Sequence, residues 1–259
     1  TVGLGLRWYV SGRAPWSNGY ESMIYIAWTS TLAGLLFTRK SFGGLAATMV
    51  LAATILLVST LSFLDPEITP LVPVLKSYWL TIHVSLIAGS YGFLMLGAII
   101  GLINLILMVF MSGSNKARVK RIVKEMSYIS ELTLIGGLFM VSIGTYLGGI
   151  WANESWGRYW GWDAKETWAL VTILVYAFIL HMRLIPKLKG LFAYNVATTF
   201  GLASVIMTYY GVNYYLSGLH SYATGDPIPI PNWVYVVVIS IIVISVLAFY
   251  KKRKYPVIS

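Results

Sequence analysis

Long apolar stretches separated by short polar segments run through nearly all of this 259-residue sequence. A helix that crosses a bilayer needs about 20 mostly apolar residues, so the pattern predicts seven membrane-spanning helices. Their expected ranges are about 22–38, 42–63, 83–111, 129–150, 168–182, 191–215 and 233–250. The sequence therefore predicts an all-α, polytopic transmembrane helical bundle, with residues 1–259 forming a single membrane domain.

The composition agrees with this fold class and narrows the chemistry. Hydrophobic residues make up 58% of the chain and charged residues 11%, whereas about a quarter of an average soluble domain is charged. The chain has no cysteine, which excludes disulfides, thiolate metal sites and a cysteine nucleophile. The possible nitrogen ligands are three histidines: His83, His181 and His220.

The net charge of +10 is explained by membrane topology. Of the 19 Lys and Arg residues, 14 fall in four segments that seven spans place on one side: 39–40, 116–124, 183–189 and 251–254. Basic residues mark the cytoplasmic side of a membrane protein. We therefore expect these segments to be cytoplasmic, and the charge requires no nucleic-acid partner.

The first residues, 1–12, resemble the outer end of a helix whose beginning is missing. This predicts a fragment of a longer polypeptide. An interfacial helix anchored by Trp8 and Tyr9 is the alternative interpretation.

A tryptophan-rich segment at 151–168 lies on the predicted outer side. It holds five of the ten tryptophans: Trp151, Trp156, Trp160, Trp162 and Trp168. Tryptophan also favours membrane interfaces in general, but such belts spread over many helix ends. This segment also contains Arg158, Asp163 and Lys165, and it predicts a site for a large, planar, apolar ligand with an acidic edge.

Two histidines flank this segment on the same predicted side, His83 before it and His220 after it. A single histidine near a helix end is usually an ordinary hydrogen-bonding residue. A pair beside five tryptophans instead suggests the two axial ligands of a haem iron. We expect haem b, iron protoporphyrin IX, as the ligand.

Haem propionates require cations, and the candidates on the outer side are Arg158, Lys165, Arg13 and Arg7. A second outer segment at 13–22 contains Trp16. It either caps the bundle or covers one side of the haem pocket.

His181 is predicted near the cytoplasmic end of the fifth span. Ionisable residues inside a membrane usually have a function and a partner, although an interfacial histidine is the simpler alternative. If His181 binds haem, its second axial ligand comes from a partner segment, because the other two histidines lie outside. Glu131, near the inner end of the fourth span, is expected to be structural.

The residues 156–166, with the sequence WGRYWGWDAKE, resemble the tryptophan-rich WWD signature of haem-handling proteins in cytochrome c biogenesis, a superfamily that includes CcmC, CcmF and CcsA. The flanking His83 and His220 resemble its two outer histidines, and His181 resembles the transmembrane histidine of CcsA. The segments around 78–92 and 18–22 are also similar to CcsA, so the resemblance covers nearly the whole chain.

This resemblance implies a cytochrome c synthase (haem lyase) of the System II, CcsBA type in a bacterial inner membrane. Haem would cross to the outer WWD site, with His83 and His220 as axial and catalytic ligands. There it would be joined by thioethers to the CxxCH motif of an apocytochrome c. A CcsB-like partner, or a fused N-terminal segment, would supply the second transmembrane histidine.

Three alternatives remain at this stage. A b-type electron-transfer subunit would pair its histidines within the bilayer. A haem exporter would bind haem without attaching it to a protein. A transporter with an aromatic gate would show internal repeats and broken helices, neither of which the sequence contains.

Overall fold

The computed structural model describes residues 1–61, 64, 66–68, 70, 76–216, 218 and 230–255. Within these ranges the chain forms helices and no strand, which confirms the all-α class. The α-helices are α1 (Val2–Ser11), α2 (Gly19–Phe37), α3 (Phe42–Ser59), α4 (Tyr78–Val109), α5 (Lys116–Trp156), α6 (Ala164–His181), α7 (Leu191–Ile206), α8 (Val212–Tyr215) and α9 (Asn232–Lys254). A 3₁₀ turn, Met182–Leu184, follows α6, and a π-helical turn, Met207–Gly211, joins α7 to α8.

Six helical segments in the described part of the chain are long and apolar enough to cross a membrane. They are Phe42–Ser59, Tyr78–Val109, Lys116–Trp156, Ala164–Leu184, Leu191–Tyr215 and Asn232–Lys254. They match the second to seventh predicted spans, and the protein is therefore a multi-pass membrane protein. The first predicted span, 22–38, forms α2, which is not among the six. Polar residues that α2 buries include Glu21, Thr29 and Ser30.

The helix ends differ from the predicted ones where a helix continues beyond its apolar part. The fourth span was expected at 129–150, but α5 has 41 residues, or about 60 Å at ~1.5 Å per residue. Hydropathy marks only the part of such a helix that suits the bilayer, so it misses the basic first turns of α5. The expected end of the second span, Phe63, lies outside the described residues; α3 ends at Ser59.

The chain divides into two compact units. Unit 1 consists of Thr1–Leu96 and Ile135–Trp162, and unit 2 of Gly97–Leu134 and Asp163–Ser259. Helices α4 and α5 each contribute a segment to both units.

In unit 1, small residues of α5 pack against larger side chains of α4. A Cβ on Gly137 would lie 2.6 Å from Leu94 Cδ2, one on Gly144 would lie 2.9 Å from Ile87 Cδ1, and one on Gly148 would lie 2.5 Å from His83 Cε1. The α4 numbers fall as the α5 numbers rise, so these helix segments are antiparallel. The expected close packing of this glycine-rich helix is confirmed, and small residues serve the same purpose at many membrane helix interfaces.

Helix α2 packs against α3 and α4 through similar close contacts. The side chain of Thr48 on α3 occupies the space beside Gly34 on α2, and a Cβ on Gly92 of α4 would lie 2.7 Å from the Ser30 amide nitrogen. The Ser30 hydroxyl donates to the Ile26 carbonyl at 2.8 Å. Serine and threonine hydroxyls that bond within their own helix can be buried without an unsatisfied polar group.

Unit 2 combines an apolar cluster with a buried polar one. Its apolar core contains Leu105, Met108, Met111, Val119, Val123 and Ala248. One turn away, Asn104 Nδ2 donates to Asn195 Oδ1 at 2.8 Å, and Asn195 Nδ2 donates to Ser127 Oγ at 2.9 Å. These three side chains tie α4, α7 and α5 together by hydrogen bonds.

Candidate functional site

The predicted ligand His83 lies in the second turn of α4, half-buried against α5. Its Nδ1 lies 2.6 Å from the carbonyl oxygen of Gly144. The imidazole also fills the space beside Gly148, where any side chain would collide with it. The histidine is therefore held by the backbone of α5.

This hydrogen bond determines the tautomer of the neutral His83 ring. A carbonyl oxygen can only accept, so Nδ1 must carry the hydrogen and donate it to Gly144. The lone pair then lies on Nε2, so Nε2 is the nitrogen that could coordinate a metal in this tautomer. Metal-binding histidines typically have their other ring nitrogen oriented by a carbonyl or carboxylate in this way.

Residues 157–163 form the non-helical part of the tryptophan-rich segment; 151–156 complete α5 and 164–168 begin α6. Gly157 ends α5 with a φ of 70°, a left-handed conformation common after helix C-termini. Trp151 is buried, with 1% of its surface exposed, and its ring meets that of Trp156 edge-on at 4.8 Å. These two rings anchor the end of α5.

The next two tryptophans lie beyond this anchor. Trp162 is 70% exposed and has a φ of 59°, a strained conformation for a residue with a bulky side chain. Its ring meets Trp160 edge-on at 5.6 Å. The Trp160 indole nitrogen is buried without an acceptor among the described residues. Strain and unsatisfied buried donors both concentrate at functional sites.

Arg158 bends back over the same turn. Its guanidinium occupies the space that a side chain at Gly161 would take. Only glycine at position 161 leaves room for this arrangement, which brings the cation next to the backbone between Trp160 and Trp162.

Trp16 contacts the first turns of α4. Its indole Nε1 donates to the Thr81 carbonyl at 3.2 Å, two residues before His83. The ring packs at 5.3 Å from Trp8 and at 4.7 Å from Tyr25. Trp16 therefore joins the 13–22 segment to the turn of α4 that carries His83.

Arg7 and Arg13, candidates for propionate binding, both pair with one buried carboxylate that the sequence analysis missed. Arg7 Nε and Arg13 Nη1 each lie 2.8 Å from an oxygen of Glu21, whose side chain is 0% exposed. The Ser17 amide also donates to Glu21 at 2.9 Å. Burial alone would raise the pKa of Glu21, but these hydrogen bonds outweigh it and hold the pKa below 4.5.

In unit 2, Asp163 of the WWD sequence is the N-cap of α6. Its carboxylate accepts from the Glu166 amide at 2.8 Å, and the Glu166 carboxylate accepts from the Asp163 amide at 3.3 Å. This capping box satisfies two amides at the helix start. The spacing DAKE could have predicted it from sequence.

Lys165 and Trp168 follow in the first turns of α6. Lys165 Nζ donates to Asn213 Oδ1 of α8 at 2.7 Å, and within the described part of the chain this ammonium forms no ion pair. The Trp168 carbonyl accepts from the Thr208 hydroxyl at 3.0 Å. Both contacts connect α6 to the region around the π-helical turn.

His181 ends α6, and its ring is exposed. Its Nδ1 lies 2.7 Å from the Ala177 carbonyl, so Nδ1 again donates and Nε2 again holds the lone pair. Glu131 pairs with Arg183 at 2.6 Å, a contact that ties α5 to the turn after α6, in keeping with the structural role expected for this carboxylate.

The second predicted outer ligand, His220, lies outside the described residues. Among the residues that the structure describes, no three His, Asp or Glu side chains converge on a common point. A haem requires fewer protein ligands than a bare metal ion, since the porphyrin supplies four and the chain only the axial ones. The tautomer of His83, with its lone pair on Nε2, suits the haem iron, and the buried indole of Trp160 suits the apolar porphyrin ring.

The fold and these residues define a multi-pass helical membrane protein. Its unit 1 contains both His83 and the non-helical segment 157–162 with Trp160 and Trp162, which we call the tryptophan turn. A family model described as Cytochrome C assembly protein matches residues 16–220. The chain belongs to the cytochrome c assembly protein family, and its biological context is cytochrome c biogenesis. The resemblance that the WWD sequence suggested is therefore confirmed.

Individual relatives agree with this assignment. Protein NrfI of Wolinella succinogenes is 52% identical over 229 residues, which cover 88% of this chain but only 25% of NrfI. Cytochrome c biogenesis protein CcsA of Synechococcus sp. (strain CC9902) is 36% identical, covering 86% of this chain and 82% of that protein. CcsA of Chlamydomonas reinhardtii is 37% identical, and the matched region covers 84% of this chain and 63% of that protein. The chain spans about a quarter of the length of NrfI.

The Glu21 cluster predicts a pH-dependent contribution to stability. Because its pKa is lowered in the folded state, the pairing stabilises the protein above pH 4.5, and this stabilisation is lost as the pH falls through the lowered pKa. Removing one partner of a buried ion pair costs about 3 kcal/mol. In thermal unfolding of the purified protein, we expect Glu21→Gln to lower the midpoint by roughly 6–12 °C at pH 7.

The difference between this variant and the unaltered protein should shrink as the pH falls below 4.5. Glu154→Gln, which alters an exposed carboxylate, is the control and should change the midpoint little at any pH. An equal loss for Glu21→Gln at all pH values would refute the charge-pairing explanation.

Proposed function

We propose that this protein binds haem, iron protoporphyrin IX, on the outer face of the membrane and presents it to apocytochrome c for covalent attachment. The observation that carries the proposal is the geometry of His83. A backbone carbonyl fixes its tautomer, so that Nε2 holds the lone pair, in a unit that also contains an exposed, strained tryptophan turn. Membership of a cytochrome c assembly family supports haem as the planar ligand of these residues.

The residues of the tryptophan turn would hold the porphyrin by its faces and edge. Trp160 and Trp162 offer apolar ring surface, and the buried Trp160 N–H requires an acceptor. Trp16, Trp151 and Trp156 would support this surface from behind. His220 would complete the axial ligand pair, as the family resemblance implies.

Cations near the motif would bind the haem propionates. Lys165 suits this role because its Nζ donates to the side-chain amide of Asn213, which is neutral. Arg158 suits it because its guanidinium lies over the turn of the motif. Arg7 and Arg13 are less suited because Glu21 already engages both. Asp163 would act indirectly, by capping the helix that carries Lys165.

The reaction itself is the addition of a thiol to a vinyl group. Each cysteine of a CxxCH motif forms a sulfur–carbon bond to one haem vinyl, and the thiol proton goes to the other vinyl carbon. This step consumes no oxidant, but it requires reduced thiols and one fixed haem orientation. The protein would supply that orientation, and one outer histidine would give way to the histidine of CxxCH.

His181 would bind haem at an earlier stage, near the cytoplasmic side of a bacterial inner membrane. Its ring is exposed and has its Nε2 lone pair available, so a partner would have to provide the opposite axial ligand. A CcsB-like subunit, or a segment fused before this chain, fits that requirement. The 14 basic residues in the four predicted inner segments support a cytoplasmic location for His181.

Replacing His83 tests the outer site directly. We expect His83→Ala to reduce the haem retained by the purified protein about 10-fold or more, measured from the Soret absorption per protein. Ser85→Ala is the control, because the Ser85 hydroxyl bonds within its own helix. Unchanged haem content and spectrum in His83→Ala would exclude the outer ligand role.

Attachment is measured in the same experiment with a co-expressed CxxCH protein. Loss of covalent haem on that protein, with its thiols kept reduced, is expected for His83→Ala. If the unaltered protein binds haem but never supports attachment, haem export or electron transfer replaces the synthase proposal.

Imidazole rescue tests His181. We expect His181→Gly to lose haem and to regain it when millimolar imidazole is added, since imidazole can occupy the space of the missing ring. Lys187→Gln, in the neighbouring exposed segment, should retain haem without imidazole. Full haem content in His181→Gly would indicate an ordinary interfacial histidine.

A further inference from the structure

We propose that Gly144 and Gly148 of α5 are positioning residues for His83, forming a notch that selects which imidazole nitrogen binds the iron. The inference rests on the proposed function of His83 as a haem ligand. It assigns a role in the site to two glycines whose pattern alone indicates only helix packing.

The absence of a side chain at Gly148 leaves the space that the His83 ring fills. A Cβ on Gly148 would lie 2.5 Å from His83 Cε1, 2.6 Å from Nδ1 and 3.2 Å from Nε2. Real Cβ atoms do not approach other heavy atoms to 2.5 Å. The imidazole is a rigid ring, so it cannot yield by bending and would have to rotate or shift away from α5.

The carbonyl that accepts from His83 belongs to Gly144. Within α5, the Gly144 carbonyl faces the amide of residue 148 in the regular i to i−4 hydrogen bond. The same oxygen lies 2.6 Å from His83 Nδ1. A second donor can reach this carbonyl only from the side of the helix that carries no Cβ at position 148. The four-residue spacing of the two glycines therefore makes the acceptor accessible.

Close contacts between α4 and α5 continue next to this hydrogen bond. A Cβ on Gly144 would lie 2.9 Å from Ile87 Cδ1 and 3.2 Å from the Ile87 amide nitrogen. Helices α4 and α5 are thus in close contact one turn beyond His83. This contact keeps the Gly144 carbonyl at a fixed distance from the ring.

The consequence for haem binding is electronic as well as geometric. Donation from Nδ1–H to a carbonyl makes Nε2 a stronger base, and such outer partners typically change metal affinity by about 10- to 100-fold. A stronger donor also favours the oxidised iron. Loss of the notch should therefore weaken haem binding and move the haem reduction potential to more positive values.

The test is Gly148→Ala in the intact, haem-loaded membrane protein. We expect the haem dissociation rate to rise about 10-fold and the reduction potential to become more positive. Gly137→Ala is a matched control, because it lies on the same helix and its Cβ would meet Leu94 Cδ2 at 2.6 Å. The control should reduce thermal stability to a similar extent but leave the potential and the dissociation rate unchanged.

A double variant separates positioning from general damage. If Gly148 acts through His83, adding Gly148→Ala to His83→Gly should produce no further change in the residual haem content. A further loss in that background, or an equal shift of potential in Gly137→Ala, would overturn the inference.

The two levels of the proposal fail in different ways. If His83→Gly retains normal haem, the outer ligand role itself is wrong. If His83→Gly loses haem while Gly148→Ala keeps the original dissociation rate and potential, the ligand role stands and the notch does not.

Discussion

One hydrogen bond, from His83 Nδ1 to the Gly144 carbonyl, holds the candidate ligand in place. In a membrane helix nearly every carbonyl is already hydrogen-bonded within the helix and surrounded by side chains, so a carbonyl that also accepts from a neighbouring helix is uncommon. Glycines at 144 and 148 provide it without breaking α5. The bond sets the ring orientation and the tautomer together, and it leaves the lone pair of the neutral ring on Nε2.

The charged residues around the outer segments fall into two groups with different roles. Arg7 and Arg13 are held by Glu21, a buried carboxylate that ties α1 and the 13–22 segment to α2. That cluster stabilises the fold. Lys165, by contrast, has an amide partner and a place at the start of α6. Lys165 therefore differs from Arg7 and Arg13, whose described partner is a carboxylate.

Much of the fold followed from the sequence, because membrane spans are set by the length of apolar stretches. Helix ends did not follow, since the first turns of α5 are basic and carry no hydropathy signal. The partner of Arg7 and Arg13 was also missed. Nothing local distinguishes Glu21 from a surface carboxylate, and its burial depends on how α1 returns over α2.

The candidate ligand and the tryptophan turn were found from residue type and placement. The proposed role of Gly148 was not found in this way, because its position opposite His83 depends on the antiparallel pairing of α4 and α5. The N-cap role of Asp163 could have been predicted from the DAKE spacing, and it shows that a residue of a functional motif can act by positioning a helix.

The most direct measurement is an electron-microscopy structure of the intact protein loaded with haem. The account predicts the iron coordinated by Nε2 of His83, with Nδ1 still within hydrogen-bonding distance of the Gly144 carbonyl and the porphyrin against Trp160 and Trp162. Iron bound to other ligands while the His83 ring stays in its notch, or coordination through Nδ1, would contradict it.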